Sequence, residues 1–248
     1  METKPGVPYD IIPYGEQALL IRFEEKIDAA INQKVHQLDA YIKKNRLKGL
    51  LYTIPAYCSL TLVFDVGIFQ KERTIDKIKA FIPNVSDNAS QLKSRRLKIP
   101  VCYESDFALD QDFITQTLQM SWEDVIRMHS QNVYQVYLLG FLPGFAYLGS
   151  LPEALRMPRK AVIRQKVPKG SVAIAGLQTG IYPDSVPGGW QIIGACPIPA
   201  FAPQQDPPFL FQSGDMVSFE PIDMEKHLDI EAKIAAGTLH PNSWICNE

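Results

Sequence analysis

Four short runs between Tyr134 and Gly194 constrain this chain more than any other feature of it. They are Gly140-Phe141-Leu142-Pro143-Gly144-Phe145-Ala146-Tyr147-Leu148-Gly149, Val167-Pro168-Lys169-Gly170-Ser171, Ala175-Gly176-Leu177-Gln178-Thr179-Gly180-Ile181-Tyr182-Pro183, and Pro187-Gly188-Gly189-Trp190. Glycine costs about 1 kcal/mol and proline about 3 kcal/mol in a helix interior, so these runs oppose helix. As loops they are too apolar to be solvated connectors. Two readings remain: tight turns of a β-barrel whose core is aromatic, or the lining of a site that main-chain N–H groups approach closely. Four such runs so close together favour a binding cleft.

The chain of 248 residues has room for one large domain or two ordinary ones, and its 46% hydrophobic and 21% charged content is that of a core-forming globular protein. A formal net charge of -2 leaves no electrostatic footprint for nucleic acid or an anionic membrane. The single basic run, Lys93-Ser94-Arg95-Arg96-Leu97-Lys98, reads as a solvated linker or strand edge. Met1-Glu2-Thr3-Lys4-Pro5 opens no apolar leader, and nowhere do 18 apolar residues run together. Cys58, Cys102, Cys196 and Cys246 are scattered without metal-ligand spacing, which predicts reduced thiols, a cytoplasmic location and no metal site.

Periodicity divides the chain into an α+β domain over 1–92 and a second domain over 93–248 whose many short strands read as a sandwich or a barrel. Two extended pieces flank Tyr14-Gly15-Glu16, and Asp28 then caps a helix to Lys44 carrying Ile31, Val35, Leu38 and Ile42 on one face. Strands follow over 49–54 and 59–64, then a helix over 73–81 stopped by Pro83. This β-α-β-β-α order matches half of a split-βαβ arrangement. Asn84 to Ser94 reads as the linker. Beyond it, a strand over 97–103, a helix from Asp110 to Gln119 and a helix capped by Ser121 precede short strands over 134–139, 161–163, 171–175, 178–182, 190–195 and 216–221. A last helix covers 224–236.

No nucleophile elbow, phosphate-binding P-loop or zinc-protease motif occurs. His129 reads either as a core-edge histidine or as a general acid/base. Gln178-Thr179 offers an amide and a hydroxyl between two glycines, suited to a carboxamide, lactam or phosphate oxygen. Arg159, Arg164, Lys166 and Lys169 are surface cations individually and together a surround for a carboxylate or phosphate. Asp106 and Asp110 are the acidic candidates, with N-capping the alternative for Asp110. Trp190, after two glycines, is a core aromatic or a cleft wall. Residue types alone reach only a cleft with amide, hydroxyl and cationic groups.

The four runs, with Pro158-Arg159, the Phe201 region, Asp206-Pro207-Pro208 and Gly214-Asp215-Met216-Val217-Ser218-Phe219, resemble the signature of the 5-oxoprolinase B-subunit family. That family is also called allophanate hydrolase subunit 1 or the Kip-type inhibitor of a sporulation histidine kinase. The N-terminal half matches more loosely, through Tyr14 to Leu20 and Pro55-Ala56-Tyr57. The resemblance implies an α+β N-terminal domain and a cyclophilin-like β-barrel. It implies a cytoplasmic component, inactive alone, of an ATP-dependent 5-oxoprolinase. Its partners there are the C-subunit and the A-subunit of that enzyme, and together they open 5-oxo-L-proline to L-glutamate at the expense of ATP, with Mg2+ at the level of the complex. The alternatives it brings are inhibition of a sensor histidine kinase and, ranked last, allophanate hydrolysis.

On this basis His129, Gln178, Thr179 and Asp106 are the expected catalytic residues. Phe141, Pro143, Gly144, Phe145, Tyr147, Arg159, Lys169, Gly170, Gly176, Gly180, Tyr182, Pro187, Gly188, Gly189 and Trp190 are expected to bind substrate or nucleotide. Three departures bear on these roles. Asp106 stands where the family usually has Glu in a glycine-richer loop, Ala195-Cys196 replaces a common Arg-Thr, and Leu177 replaces a Gly.

Overall fold

The computed structural model describes residues 8–84 and 95–246, so the expected linker, apart from Asn84, lies outside the described residues. Contacts divide the chain into two compact units, Met1–Lys93 and Ser94–Glu248.

The first unit comprises β1 (Asp10–Tyr14), β2 (Ala18–Arg22), α1 (Ala29–Asn45), β3 (Leu50–Pro55), β4 (Ser59–Phe64) and α2 (Lys71–Phe81). The Asp28 carboxylate accepts from the Ala30 and Ile31 amides and so satisfies two of the orphan donors that open α1. The four strands pair antiparallel in the order β1-β2-β4-β3. Alternation along β2 and β4 sends Leu19, Ile21, Leu60, Leu62 and Phe64 to one face, where they meet Ile31, Val35, Leu38 and Ile42 of α1. Each such burial contributes about 1.5–3 kcal/mol. The opposite face carries two cross-strand rows, Tyr14–Ala18–Val63–Tyr52 and Ile12–Leu20–Thr61–Ile54.

The second unit comprises β5 (Arg96–Cys102), α3 (Gln111–Leu118), α4 (Trp122–Ser130), β6 (Val133–Leu139), β7 (Ala146–Gly149), β8 (Arg164–Val167), β9 (Ser171–Ala175), β10 (Gln178–Ile181), β11 (Val186–Gly188), β12 (Gln191–Ala195), β13 (Met216–Ile222), α5 (Met224–Ala235) and β14 (Ile245–Cys246). Seven strands close into a barrel in the order β12-β9-β10-β7-β6-β13-β5, with β5 returning to β12 and β14 added on β5. Only β5 and β13 run parallel among these pairs. Val136, Leu148, Val172, Ile174, Ile181, Ile193, Val217 and Phe219 fill the interior. β8 and β11, separated in the chain by β9 and β10, pair antiparallel as a separate two-stranded sheet.

Three local expectations shift. The strand expected at 161–163 starts at Arg164, because pairing with β11 begins at the Gly188↔Arg164 register. β7 lies within a run that one reading made a turn, and β11 ends in another. In β7, Ala146 and Leu148 point inward around Tyr147, while β11 tolerates Pro187 because it pairs on one side only. Asp110 precedes α3 but makes no side-chain cap; its carboxylate is engaged elsewhere.

Candidate functional site

Successive residues of a strand point to opposite faces, and this divides the expected site residues. On β10, Thr179 points into the barrel and Gln178 out of it, so the pair does not converge on one oxygen.

Inside, His129 and Thr179 are closed to solvent. Thr179 Oγ1 donates to the Ala173 carbonyl at 3.1 Å, so it accepts from His129 Nε2–H at 2.9 Å. That leaves His129 Nδ1 to accept from the Tyr103 hydroxyl at 2.7 Å, which fixes the tautomer through its partners. The imidazole stacks on Phe219 at 4.5 Å, and Tyr134 donates to the His129 carbonyl at 2.8 Å. Burial pushes the His129 pKa down to about 3, leaving the ring neutral at physiological pH. With both ring nitrogens bonded internally, this set of bonds knits β5, α4 and β10 together. Neither ring nitrogen reaches solvent in this arrangement.

Outside, the aromatics of the runs gather around Phe145. Its ring meets Phe141 at 5.6 Å, Tyr147 at 4.8 Å, Tyr182 at 5.3 Å and Trp190 at 5.5 Å, all edge-to-face. Phe145, Tyr182 and Trp190 are buried, Tyr147 is half-buried, and Phe141 stands 63% exposed with φ at +67°. Two glycines make room for this cluster. A Cβ at Gly180 would lie 2.9 Å from the Ala146 carbonyl and 3.2 Å from the Phe145 ring, and one at Gly188 would collide with the Tyr182 hydroxyl. Gly144 is seated against Ala200 and Phe201, Gly189 accepts from the Lys160 amide, and Pro143 and Pro187 are exposed beside them. Burial pushes the Tyr147 and Tyr182 phenols up, partly offset by the Arg159 charge. Arg159 therefore lies near this face.

A cleft of about 330 Å³ opens beyond Tyr182, between Lys169, Gly170, Pro183, the loop from Cys196 to Ala200 and the end of α5. Lys169 is exposed there and makes no ion pair among the described residues; Glu231 of α5 lines the same cleft and lies 3.5 Å from His227 Nε2. Burial pushes the Cys196 thiol up to about 12, so it serves as wall rather than nucleophile. Gln178 lies four residues along β10 from Tyr182, about 13 Å away at 3.3 Å per residue, and does not share this cleft. Asp106 is exposed in the turn after Tyr103 and lines neither the cleft nor the aromatic cluster.

The cations do not ring one anion. Asp110, buried, accepts from Arg164 at 2.7 and 2.8 Å, from Lys160 at 2.7 Å and from the Ile192 amide at 2.7 Å. Burial raises its pKa, but Arg164, Lys160 and the Ile192 amide outweigh that and hold the carboxyl below its ordinary value. Lys166 is exposed. Three of the glycine amides are engaged within the fold: Gly140 N–H goes to Phe145 O, Gly170 to Tyr182 O and Gly176 to Met157 O. Gly176 serves a two-residue hairpin loop with φ at +57°. Those three amides are therefore not turned toward a bound phosphate. Sequence reading named Asp110 and Arg164 but overlooked their pairing with each other and with Lys160, along with Tyr103 and the wall from Cys196 to Ala200, all of which act through contacts distant in the chain.

Among known proteins, the family described as carboxyltransferase domain, subdomain C and D, matches residues 9–211. The 5-oxoprolinase B-subunit from Bacillus subtilis (strain 168) is 39% identical over 223 residues, 86% of this chain and 92% of the relative. Another 5-oxoprolinase B-subunit, from Escherichia coli O157:H7, is 34% identical over 207 residues, 84% of this chain and 93% of the relative. Among solved structures, the crystal structure of TTHA0988 in space group P212121 superposes with a TM-score of 0.74 at 33% identity. It covers 84% of this chain, which spans only 40% of that longer chain.

Proposed function

This chain belongs to the 5-oxoprolinase B-subunit family, within the carboxyltransferase subdomain C and D family, and we propose that it is the barrel component of an ATP-dependent 5-oxoprolinase. The assembly opens 5-oxo-L-proline to L-glutamate and includes a C-subunit and an A-subunit. In this reading the domains meet at residues 92 and 93, the N-terminal one a split-βαβ unit and the other a cyclophilin-like barrel, and the complex is cytoplasmic. The observation that carries the proposal is the match, over 92% and 93% of their lengths, to two proteins of that name.

A lactam amide is a poor electrophile, so opening it is favoured once the carbonyl oxygen has been turned into a leaving group, which is what ATP supplies. With the Gly140, Gly170 and Gly176 amides engaged within the fold, this reading assigns ATP and Mg2+ to the sister subunits and leaves this chain inactive alone. Its own contribution is a place for the small carboxylate of the substrate: Lys169 at the mouth of the cleft, with Gly170 and Tyr182 forming its side. The Gln178 amide and Tyr147, partly exposed on the outer face, are then positioned for contact with one of the sister subunits.

The test is reconstitution with the purified C- and A-subunits. ATP consumption is expected only when 5-oxo-L-proline and all three chains are present. Lys169→Ala is expected to raise KM for 5-oxo-L-proline about tenfold, the scale of one charge-assisted hydrogen bond, with an unchanged melting temperature. Turnover that is indifferent to this chain, or inhibition of a sensor kinase's autophosphorylation by this chain alone, would replace the proposal.

A further inference from the structure

The uncovered face of the N-terminal sheet is a trough rather than a plane. Its cross-strand row places Tyr14 on β1 and Tyr52 on β3 at the two sides, with the smaller Ala18 and Val63 between them. The tyrosines stand 65% and 55% exposed, and Ile54 and Val66 beside them 49% and 60%. Ala18 and Val63 sit at only 7% each, as the floor. The space between the walls amounts to about 560 Å³.

Three strand spacings separate the walls, about 14 Å, and a five-residue strand gives the floor a length of about 16 Å. An α-helix with its side chains is about 10–12 Å across, and three turns of it are about 16 Å long. A second copy of the same face fits poorly. Two faces with tall edges and low centres meet edge to edge and leave a void between the floors, which forfeits the packing that would hold them.

The charges set the character of the occupant. Glu16 lines one end of the trough, and Asp65 follows β4 at that same end, where the Phe64 amide bonds to the Gln17 carbonyl. Neither carboxylate forms an ion pair among the described residues; that of Asp65 accepts from the Gly67 amide. Lys48, shortly before β3, pairs with neither.

We infer that this trough is the docking site for an amphipathic helix of a partner polypeptide. The helix lays an aliphatic stripe on Ala18 and Val63 between the two tyrosines and presents basic side chains to Glu16 and Asp65. The solved relative carries the equivalent of this chain within a longer polypeptide, of which this chain spans 40%. Here we assign the helix to the C-subunit, an assignment that rests on the function proposed above.

The experiment titrates the purified C-subunit into the full chain by calorimetry. Tyr14→Ser with Tyr52→Ser is expected to weaken binding about tenfold or more, as loss of aromatic anchors does at protein interfaces. Glu16→Lys with Asp65→Lys is expected to weaken it severalfold, by an amount that shrinks as salt is raised. All four residues are exposed, so urea midpoints are expected to stay at the wild-type value, which separates lost docking from lost folding. Wild-type affinity in either double variant, while the complex still forms, overturns the trough as the docking site and leaves the proposed function standing. Failure of the wild-type chain to bind the C-subunit overturns both.

Discussion

Replacing Asp110 by alanine tests the electrostatic core of the barrel unit. The carboxylate is 3% exposed, and its partners Lys160 and Arg164 are 23% and 24% exposed, so all three charges are largely withdrawn from water. Removing the acid leaves two cations and the Ile192 amide without their acceptor. Breaking a buried pair in this way costs about 3–5 kcal/mol. For a protein of this size each kcal/mol lowers Tm by about 2–4 °C, giving a drop of about 6–20 °C. Asp110→Asn keeps the shape and one acceptor and is expected to cost about 2 kcal/mol, the range of a hydrogen bond to a charged group. The pH dependence supplies an independent check. Because the folded pKa lies below the ordinary 3.8, the contribution is complete above that value and is lost as pH falls through the folded pKa. Urea denaturation of wild type and Asp110→Ala should therefore differ by a constant amount from pH 5 to 8 and converge in acid. A cost under about 1 kcal/mol, or a gap that persists undiminished in strong acid, refutes the reasoning.

His129 is expected to stay neutral in nuclear magnetic resonance titrations down to about pH 3. Its unfolded form takes up a proton near pH 6.5, so wild-type stability should fall by about 1.4 kcal/mol per pH unit below that, a slope absent in a His129→Gln variant. Thr179→Val leaves the His129 Nε2–H without its acceptor and should cost about 1–3 kcal/mol in urea denaturation. Gly180→Ala drives a methyl against the Ala146 carbonyl and the Phe145 ring. It should cost about 1–3 kcal/mol and change the near-ultraviolet circular dichroism of the aromatic cluster. By contrast Phe141→Ser, at an exposed position, should stay within about 0.5 kcal/mol of wild type.

Much of the fold was legible because its signals are local. The Asp28 cap, the 31-35-38-42 stripe of α1 and the Ser121 cap each depend on neighbours within one or two turns, and each is present. Closure of seven strands is not local, since it depends on β5 finding β12 across ninety residues of chain. The site was read less well for the same reason. A sequence shows Gln178 and Thr179 as a pair, and only strand pairing reveals that they face opposite ways. It shows His129 as ionisable, whereas Tyr103 and Thr179, 26 and 50 positions away, determine that it is sealed and neutral. Asp110 before a helix is a natural cap until Lys160 and Arg164 arrive from 50 and 54 residues further on.

The ring of strands is fastened unevenly. β5 meets β13 from Met216↔Arg96 to Ile222↔Cys102 but meets β12 at the single register Ala195↔Cys102, where a Cβ on Gly194 would lie 2.5 Å from the Cys102 carbonyl. Asp110 reinforces that join: its amide donates to the Ile192 carbonyl while its carboxylate accepts from the Ile192 amide, bracketing one residue of β12 from both sides. The barrel is thus a rolled strip held by a narrow clasp with an ionic latch beside it. Loss of the latch is expected to weaken the barrel first at that clasp, the seam with the fewest paired residues.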